Sequence, residues 1–295
     1  MTRSYRERAE HAWTEDSVRL VVTPSLFART ALFYVQEIGH FRTLASYFTE
    51  RERLDSFLVL YTVSGRGRLV YGDKAYTLQP QQVFFIDCME YQYYAAEGDE
   101  PWELLWVHLN GASTRAYYEK YEENGEPVRH LPHDSPLPVI VRQLIELNRQ
   151  KSFRSELAAS ASIAGLLTEL LLAGSPFDSD QAEMPSSLTG ALRLIEQHYR
   201  EKLTLALLAK TFAVDKYHFA KQFKRYTGYS PGEYIINARI TKAKELLKYS
   251  DLSVAEVAGQ VGIENISHFI NLFKDRAGQT PLAFRKRWQN PRQPE

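Results

Sequence analysis

The chemistry that this sequence offers most clearly is the binding of a polyanion by exposed cations. Near residue 220, Phe219 and Phe223 recur at helical spacing and form an apolar stripe. Away from this stripe lie several cations and one aromatic residue, which are Lys216, Tyr217, Lys221, Lys224 and Arg225. Exposed cations on a helix that could enter a groove are what phosphate and base contacts require.

A second group of residues could bind a small molecule. Trp102, Leu104, Trp106 and His108 alternate along a predicted strand and therefore share one face. An aromatic face with a histidine suits a polyhydroxy ligand, because indoles stack on sugar rings and hydroxyls need donors. The alternative is that Trp106 and His108 are packed or face solvent. Four further candidates for ligand binding are Tyr47, Arg51, Arg53 and Tyr61.

Catalytic and metal-binding patterns are weak by comparison. The predicted strands contain no His-x-His pair, and His130 and His133 are separated by Leu-Pro in a stretch that resembles a loop. The chain has no Gly-x-Ser-x-Gly, P-loop or dinucleotide fingerprint. We therefore predict no catalytic residue, no metal site and no cofactor.

Composition describes an ordinary globular protein of about two domains. The chain has 295 residues, 44% of them hydrophobic and 24% charged, with Cys88 as its single cysteine. Neither a signal peptide nor a membrane span is evident, so we expect a cytoplasmic protein without a membrane partner.

The formal net charge is zero, but the charges are distributed unevenly between the two parts of the chain. Residues 1–185 carry 18 Lys+Arg against 26 Asp+Glu, whereas residues 186–295 carry 18 against 10.

The chain divides further by sequence pattern. Residues 57–110 form short runs that are rich in aromatic and β-branched residues, which predicts strands at 57–63, 67–71, 74–78, 82–86, 91–95 and 102–109. Residues 138–148 and 153–173 show helical periodicity. Residues 174–187 are rich in Gly, Pro, Ser and acidic residues and are predicted to be a linker.

The C-terminal part repeats itself at a spacing of 50 residues. His218, Phe219, Phe223, Lys224, Gly228 and Pro231 recur as His268, Phe269, Phe273, Lys274, Gly278 and Pro281. In each repeat a short amphipathic helix precedes a second helix, which begins near Asp215 or Asn265 and ends at a glycine. This pattern is typical of paired helix-turn-helix units that bind DNA, although an ordinary helical bundle has similar local signals.

From Leu203 to Arg285 the chain resembles the AraC/XylS family of bacterial transcription regulators. The resemblance rests on Tyr217-x-Phe219-x-x-x-Phe223-Lys224, Gly228-x-Ser230-Pro231, Arg239-x-x-x-Ala243-x-x-Leu246-Leu247, Val254-x-x-Val257-Ala258-x-x-x-Gly262 and the repeat from His268 to Arg285. It implies two helix-turn-helix subdomains joined by a long helix from about Pro231 to Lys248. Two departures from the family pattern are Ile263, where phenylalanine is usual, and Asn271, where a basic residue is common.

The resemblance also implies which side chains meet DNA. Residues placed against bases are Tyr217, Ala220 and Lys221 in the first unit and Ser267, His268 and Asn271 in the second. Lysine can donate to guanine, asparagine can bridge adenine, and Ala220 could touch a thymine methyl group. Lys224 and Lys274 would lie nearer phosphates, and Lys216 adds another cation. A packing role for Tyr217 is the alternative.

The N-terminal part is similar to the cupin-type ligand-binding barrel that precedes the DNA-binding part in many of these regulators. This resemblance rests on Tyr61–Leu69, Phe84-Phe85-Ile86 and Trp102–Gly111. The two helices at 138–173 match the family's dimerisation helices in position, but they could also cover the barrel. Metal-dependent cupin enzymes share the barrel, so an enzyme with an accessory DNA-binding domain is the alternative function.

The expected fold class is therefore a two-domain α+β protein: a small cupin-like β-barrel with two flanking helices, then an all-α double helix-turn-helix domain. Expected boundaries are an arm at 1–20, the barrel at 21–135, a helical pair at 136–173, a linker at 174–187 and a DNA-binding domain at 188–295. The expected function is transcription regulation without enzymatic activity. Expected partners are double-stranded promoter or operator DNA, a small effector such as a sugar or oligosaccharide, a second copy of the chain and RNA polymerase.

Overall fold

The computed structural model describes residues 5–111, 113–123, 125–173 and 184–289. The chain divides into two compact units, Met1–Ser179 and Asp180–Glu295. Residues 174–183, which make up most of the predicted linker, lie outside the described residues. Helix α5 begins at Ser186, so the helical part of the second unit starts within the predicted linker rather than after residue 187.

The first unit is built on two antiparallel sheets. Its strands are β1 (Arg6–Glu10), β2 (Val18–Val21), β3 (Tyr34–Arg42), β4 (Phe48–Glu52), β5 (Phe57–Ser64), β6 (Gly67–Tyr71), β7 (Lys74–Leu78), β8 (Gln82–Asp87), β9 (Gln92–Ala96), β10 (Glu103–Asn110) and β11 (Val128–His130). One sheet has the order β1-β4-β9-β6-β7, and the other has the order β11-β8-β5-β10-β3-β2. The described residues of this unit also form the helices α1 (Leu26–Ala31), α2 (Thr114–Glu122), α3 (Leu137–Arg149) and α4 (Phe153–Leu172).

The six-stranded sheet is buried on both faces. Leu58, Leu60 and Trp106 project from one face into the core between the sheets. Val59 and Val107 project from the other face into a core that also contains the apolar stripes of α3 and α4. Double burial explains why the sequences of β5 and β8 read as almost continuous apolar runs. The helices at 137–172 therefore cover the sheet, and the predicted two-domain fold class is confirmed.

Residues 1–20 were expected to form an arm, but their described part is partly built into the sheets. Strand β1 pairs with β4 at the edge of one sheet, and β2 pairs with β3 at the edge of the other. The sequence of β1, RERAE, has four charged residues and no apolar run, so it carries no strand signal. Charged residues are nonetheless common on edge strands, where they discourage pairing with other chains.

The second unit is helical. Its helices are α5 (Ser186–His198), α6 (Leu205–Thr211), α7 (Lys216–Thr227), α8 (Pro231–Tyr249), α9 (Val254–Gln260), α10 (Ile266–Ala277) and α11 (Pro281–Gln289). Helix α8 begins with the capping box of Ser230 and Glu233 and has Pro231 at its first position. It matches the long helix predicted from about Pro231 to Lys248.

Helix α8 contributes to two separate cores, one for each repeat. Ile235 packs with Phe219 and Phe223 of α7. One turn further along, Ile240 begins a stripe that packs with Phe269 and Phe273 of α10. The repeated phenylalanine pairs of the sequence are therefore the centres of two similar subdomains that share one helix.

One described helix, α4, is long and apolar enough to cross a membrane when length and composition are the only criteria. Its residues Ile163, Leu166, Leu167 and Leu170 are fully buried against the six-stranded sheet. These contacts identify α4 as a core helix of the first unit.

Candidate DNA-binding surface and ligand cavity

Helix α7 presents the predicted contact residues opposite its buried phenylalanines. Lys216, Tyr217, Lys221 and Lys224 are exposed, and Ala220 is half-buried. The Tyr217 side chain is 81% exposed, which argues against the alternative that it is a packing aromatic. None of these lysines forms an ion pair with another described residue, so their ammonium groups are available to a polyanion.

Both ends of α7 are fixed by capping. Asp215 accepts hydrogen bonds from the backbone N–H groups of Tyr217 at 3.0 Å and His218 at 2.8 Å. Gly228 ends the helix with φ of 77°, a left-handed conformation that glycine adopts without steric cost. The caps hold the first turn of α7, which carries Lys216 and Tyr217, in a defined position.

Helix α10 repeats this construction with different side chains. Asn265 accepts a hydrogen bond from the backbone N–H of His268 at 2.9 Å, and Gly278 ends the helix with φ of 71°. The predicted contact residues Ser267, His268, Asn271 and Lys274 are all exposed. The second unit of the chain thus offers two capped helices with exposed polar faces, of which α7 carries more cations.

The turn between α9 and α10 requires a glycine. Gly262 has φ of 75°, and a Cβ atom there would lie 2.1 Å from the carbonyl oxygen of Arg200. The corresponding turn of the first repeat has Ala213 at φ of 52°. The close approach of Gly262 to Arg200 brings the second helix-turn-helix against the loop that precedes the first.

Arg239 of α8 donates hydrogen bonds to both backbone segments that meet at Gly262. Its Nε donates to the carbonyl oxygen of Tyr199 at 2.7 Å, its Nη2 donates to that of Glu201 at 2.7 Å, and its Nη1 donates to that of Gly262 at 3.0 Å. Partial burial lowers the pKa of Arg239, but a guanidinium remains charged at any physiological pH. One side chain therefore ties both helix-turn-helix subdomains to the helix between them.

A small cavity lies between the two sheets of the first unit. Its lining side chains come from both sheets and from the segment between β1 and β2, and they are His11, Trp13, Arg19, Glu37, Phe41, Tyr47, Thr49, Arg51, Leu60, Tyr94, Trp106 and His108. The cavity has a volume of about 20 Å³, which is room for little more than one water molecule. A larger ligand would have to displace some of these side chains.

Aromatic rings form most of the wall. Trp13 stacks on Phe41 with ring centroids 4.2 Å apart, and Phe41 lies 5.1 Å from Trp106. Gly39 faces Trp106 across β3 and β10, and a Cβ atom on Gly39 would lie 2.7 Å from the Trp106 Nε1 atom. Glycine at this position lets the indole lie against the strand. A register shift follows His108, and such a bulge can redirect a side chain.

Arg51 and His108 form the polar end of the cavity. Arg51 Nη1 lies 2.7 Å from His108 Nε2, and Arg51 Nη2 lies 3.1 Å from a carboxylate oxygen of Glu7. Because a guanidinium can only donate, Nε2 must accept, and the proton of the neutral imidazole is on Nδ1. His108 Nδ1 then donates to the Ser56 hydroxyl at 3.0 Å.

Burial controls the protonation of this group. Burial, and then the nearby Arg51 cation, hold the pKa of His108 well below its usual value. Burial also raises the pKa of the neighbouring Cys88 thiol to about 12 and raises the pKa of Tyr94. At neutral pH the Arg51 guanidinium is therefore surrounded by a neutral imidazole of His108, a neutral thiol of Cys88 and a neutral phenol of Tyr94.

The structure brings together four of the six predicted ligand-binding residues: Tyr47, Arg51, Trp106 and His108. The other two lie elsewhere. Tyr61 pairs with Leu105, so both face the core under α3 and α4 rather than the cavity. Arg53 follows the end of β4 at φ of 62° and approaches Glu52. Among the lining residues that the sequence did not predict, Thr49 shares β4 and side-chain parity with Arg51, whereas Tyr94 lies opposite Thr49 on the neighbouring strand β9, and only the pairing of the strands reveals it.

Among the described residues, no group of three or more His, Cys, Asp or Glu side chains is arranged to hold a metal ion. His130 ends β11 and His133 lies in the following loop, and both are exposed.

Comparison with known proteins accounts for both parts of the chain. The sequence profile of the AraC-like ligand binding domain matches residues 34–170, and that of a helix-turn-helix domain matches residues 208–287. The chain belongs to the AraC family of transcription regulators. As in that family, the helix-turn-helix part binds DNA and the N-terminal part is a ligand-binding domain.

Relatives within the AraC family are regulators of transcription. The MmsAB operon regulatory protein of Pseudomonas aeruginosa is 28% identical over 92% of this chain and 91% of its own length. The Msm operon regulatory protein of Streptococcus mutans is 24% identical over 80% of this chain and 86% of its own length. The transcriptional activator RhaS of Escherichia fergusonii is 30% identical over 56% of this chain and 60% of its own length.

The buried neutral His108 predicts a loss of stability in mild acid. Below about pH 6.5 this histidine binds a proton in the unfolded chain but stays neutral in the folded chain. The free energy of unfolding therefore falls by up to about 1.4 kcal/mol for each unit by which the pH is lowered. We expect His108→Gln to reduce this slope between pH 7.5 and 5.5 in thermal or urea unfolding of the first unit. The exposed His133→Gln should keep the wild-type slope. Equal slopes for wild type and His108→Gln would contradict the assignment.

The three bonds of Arg239 predict that it couples the two helix-turn-helix subdomains. We expect Arg239→Ala to destabilise the second unit by about 2–4 kcal/mol, because three carbonyl groups lose a charged donor. Urea unfolding should then separate into two transitions, whereas the exposed Arg287→Ala should unfold in one step at nearly wild-type stability. A single transition at unchanged midpoint for Arg239→Ala would show that the subdomains do not depend on this contact.

Proposed function

We propose that this chain regulates transcription by binding specific promoter or operator DNA through α7 and α10, under control of a sugar or oligosaccharide bound between its two sheets. The observation that carries the DNA-binding part is the pair of capped helices whose exposed faces hold Lys216, Tyr217, Lys221 and Lys224 on one and Ser267, His268, Asn271 and Lys274 on the other. Their attachment to a single helix, α8, supports simultaneous binding.

The dimensions of α8 suit two successive major grooves. Its 19 residues extend about 28 Å at 1.5 Å each, close to the roughly 34 Å between equivalent points of the major groove on one face of DNA. In this arrangement Lys221 donates to guanine and Asn271 bridges adenine. Lys224 and Lys274, one turn further along each helix, meet phosphates.

Two features of the cavity support a sugar as the effector. The Trp106 indole offers a flat apolar surface for a sugar ring, and the hydroxyls of Tyr47, Thr49 and Tyr94 surround it. Because the cavity is small, we propose that a sugar enters when the aromatic wall formed by Trp13 moves aside. A ligand that binds this opened state better than the closed state shifts the balance between them.

We propose that the chain forms a homodimer through the outer face of α4. Phe153 and Leu157 lie one turn apart on this face and are 62% and 41% exposed, and Leu172 at the far end is 42% exposed. Ala161 and Thr168 continue the same uncharged stripe. The opposite stripe of α4 is buried in the first unit, so the outer stripe is free to meet a second copy.

Because its DNA target lies on the chromosome, we place the protein in the cytoplasm, with RNA polymerase as a further partner at promoters. Activation is the proposed direction of regulation, since one of the relatives above is named as a transcriptional activator. The related regulators give no support to the alternative of a metal-dependent enzyme.

Lys221 provides the most specific test of DNA recognition. Once a preferred duplex has been selected from a random pool, Lys221→Ala should lose about 1–3 kcal/mol of binding free energy on it if Lys221 contacts a base. The loss should shrink when the contacted guanine is replaced. Lys224→Ala should instead weaken binding to all duplexes and lower the salt dependence by about one counterion.

Affinities would be measured by fluorescence anisotropy with the full chain at several salt concentrations. The exposed Lys202→Ala, which lies outside both α7 and α10, is the matched control and should bind nearly as well as the wild type. Wild-type affinity of Lys221→Ala on every duplex would remove this residue from the interface.

Leu157→Glu tests the proposed dimer. A carboxylate in the apolar stripe of α4 should convert the dimer to a monomer, because dimerisation would bury this charge without a partner. Light scattering would measure the mass, and circular dichroism would confirm folding. Met89→Glu, at a residue 44% exposed away from α4, should remain dimeric. A dimeric Leu157→Glu, or a monomeric wild type, would contradict the proposal.

A further inference from the structure

The cavity of the first unit contains buried hydrogen-bond donors that the described residues do not satisfy. Arg51 is 8% exposed and Trp106 is 6% exposed, and both line the cavity. The Nε atom of Arg51 and the Nε1 atom of Trp106 are fully buried without a hydrogen-bond partner in the described part of the chain. Leaving a buried donor unsatisfied is costly, and the cost is greater for a charged group.

The unsatisfied Nε–H lies on the edge of the guanidinium that can bind a carboxylate. In arginine the Nε–H and one Nη2–H point in the same direction and form the edge that grips both oxygens of a carboxylate. In this structure Nη2 donates to Glu7, while Nε donates to no described residue. His108 accepts from the other nitrogen, Nη1. The carboxylate-binding edge of Arg51 is therefore half used.

Glu7 is a replaceable partner for this edge. Its side chain is 27% exposed, against 8% for that of Arg51. It belongs to β1, which pairs with β4 alone and forms the edge of its sheet. Apart from Glu7, no described carboxylate lies within ion-pair distance of Arg51, and Glu37, the carboxylate that lines the cavity, pairs with Arg19 at 3.0 Å.

The neighbouring groups favour a ligand that accepts hydrogen bonds. His108 is neutral. Its Nε2 already accepts a hydrogen bond from Arg51, and its Nδ1–H donates to the Ser56 hydroxyl. Trp106 can only donate. Arg51 Nε and Trp106 Nε1 both lack an acceptor among the described residues, which favours a ligand that carries anionic oxygens.

We infer that the effector of this cavity is an acidic sugar derivative whose carboxylate displaces Glu7 from Arg51 and accepts from Arg51 Nε and Nη2. The sugar ring then lies against Trp106, whose Nε1 donates to the ligand. The inference deepens the proposed function and rests on it, since it takes the cavity to be the effector site. Glu7 of β1 occupies the carboxylate site in this structure, so the effector and Glu7 would compete for the same edge of Arg51.

Matched sugar pairs test this inference on the full chain. In each pair the members differ by a carboxylate in place of a CH₂OH group: D-glucuronate and D-glucose, D-galacturonate and D-galactose, D-gluconate and D-glucitol. Binding would be followed by tryptophan fluorescence and calorimetry. For at least one pair the wild type should bind the acid about tenfold or more tighter than the neutral member. Arg51→Gln should reduce this ratio to about one.

Two further variants keep the test decisive if Arg51→Gln folds poorly. Glu7→Gln removes the competing charge at a partly exposed edge, so it should tighten binding of the acid several-fold and leave the neutral sugar unchanged. Arg51→Lys keeps a cation but loses the paired N–H edge, so its preference for the acid should lie between those of the wild type and Arg51→Gln. Glu52→Gln, on the neighbouring strand β4 but outside the cavity, is the matched control and should behave as wild type.

The outcomes separate the inference from the proposed function. Tighter or equal binding of the neutral members would overturn the acidic effector while keeping the sugar sensor. A preference for the acid that survives in Arg51→Gln, or weaker binding of the acid to Glu7→Gln, would also overturn it. Failure of every pair to bind the wild type at millimolar concentration would contradict both the acidic effector and the sugar sensor.

Discussion

The pleat of strand β10 is the constraint on which the first unit depends. Successive side chains of a strand point to opposite faces, so Trp106 and His108 enter the cavity while Leu105 and Val107 enter the core beneath α3 and α4. The strand is hydrogen-bonded on both sides, to β3 and β5, and cannot shift by one residue without exchanging its two faces. A side chain that lines the cavity is thus adjacent in the chain to one that packs in the core with α3 and α4. This adjacency gives a physical route by which a ligand could affect α4.

The second unit achieves rigidity in a different way. Each helix-turn-helix subdomain has its own core around a pair of phenylalanines, and α8 belongs to both cores. Arg239 adds three charged hydrogen bonds to backbone carbonyls on either side of α8, and Gly262 allows the backbones to approach closely there. The shared helix α8 and the bonds of Arg239 hold α7 and α10 at a fixed spacing. Binding in two successive grooves of DNA requires such a spacing. The two helices are not equivalent, since the face of α7 is richer in cations than that of α10.

The parts of the fold that the sequence predicts well are those with strong local patterns. The six strands between residues 57 and 110 and the helices at 137–172 lie within about one or two residues of their predicted bounds, because periodicity and turn residues define them. Strands β1 and β4 were missed because their charged sequences, RERAE and FTERE, resemble loops. Alternation along β10 predicts Trp106 and His108, which are two of the twelve residues that line the cavity. Tyr61 was wrongly included because its face depends on pairing with Leu105, which no local pattern reveals.

We propose that α7 and α10 bind two successive major grooves in a sequence-specific manner. The most direct measurement is to sequence the genomic fragments that the purified full-length chain retains at physiological salt. Binding in two successive grooves predicts enrichment of a few promoter regions that share two short sequence blocks with centres about 10 base pairs apart, one helical turn. Retention of fragments without a common motif, or a motif with a single block, would contradict it.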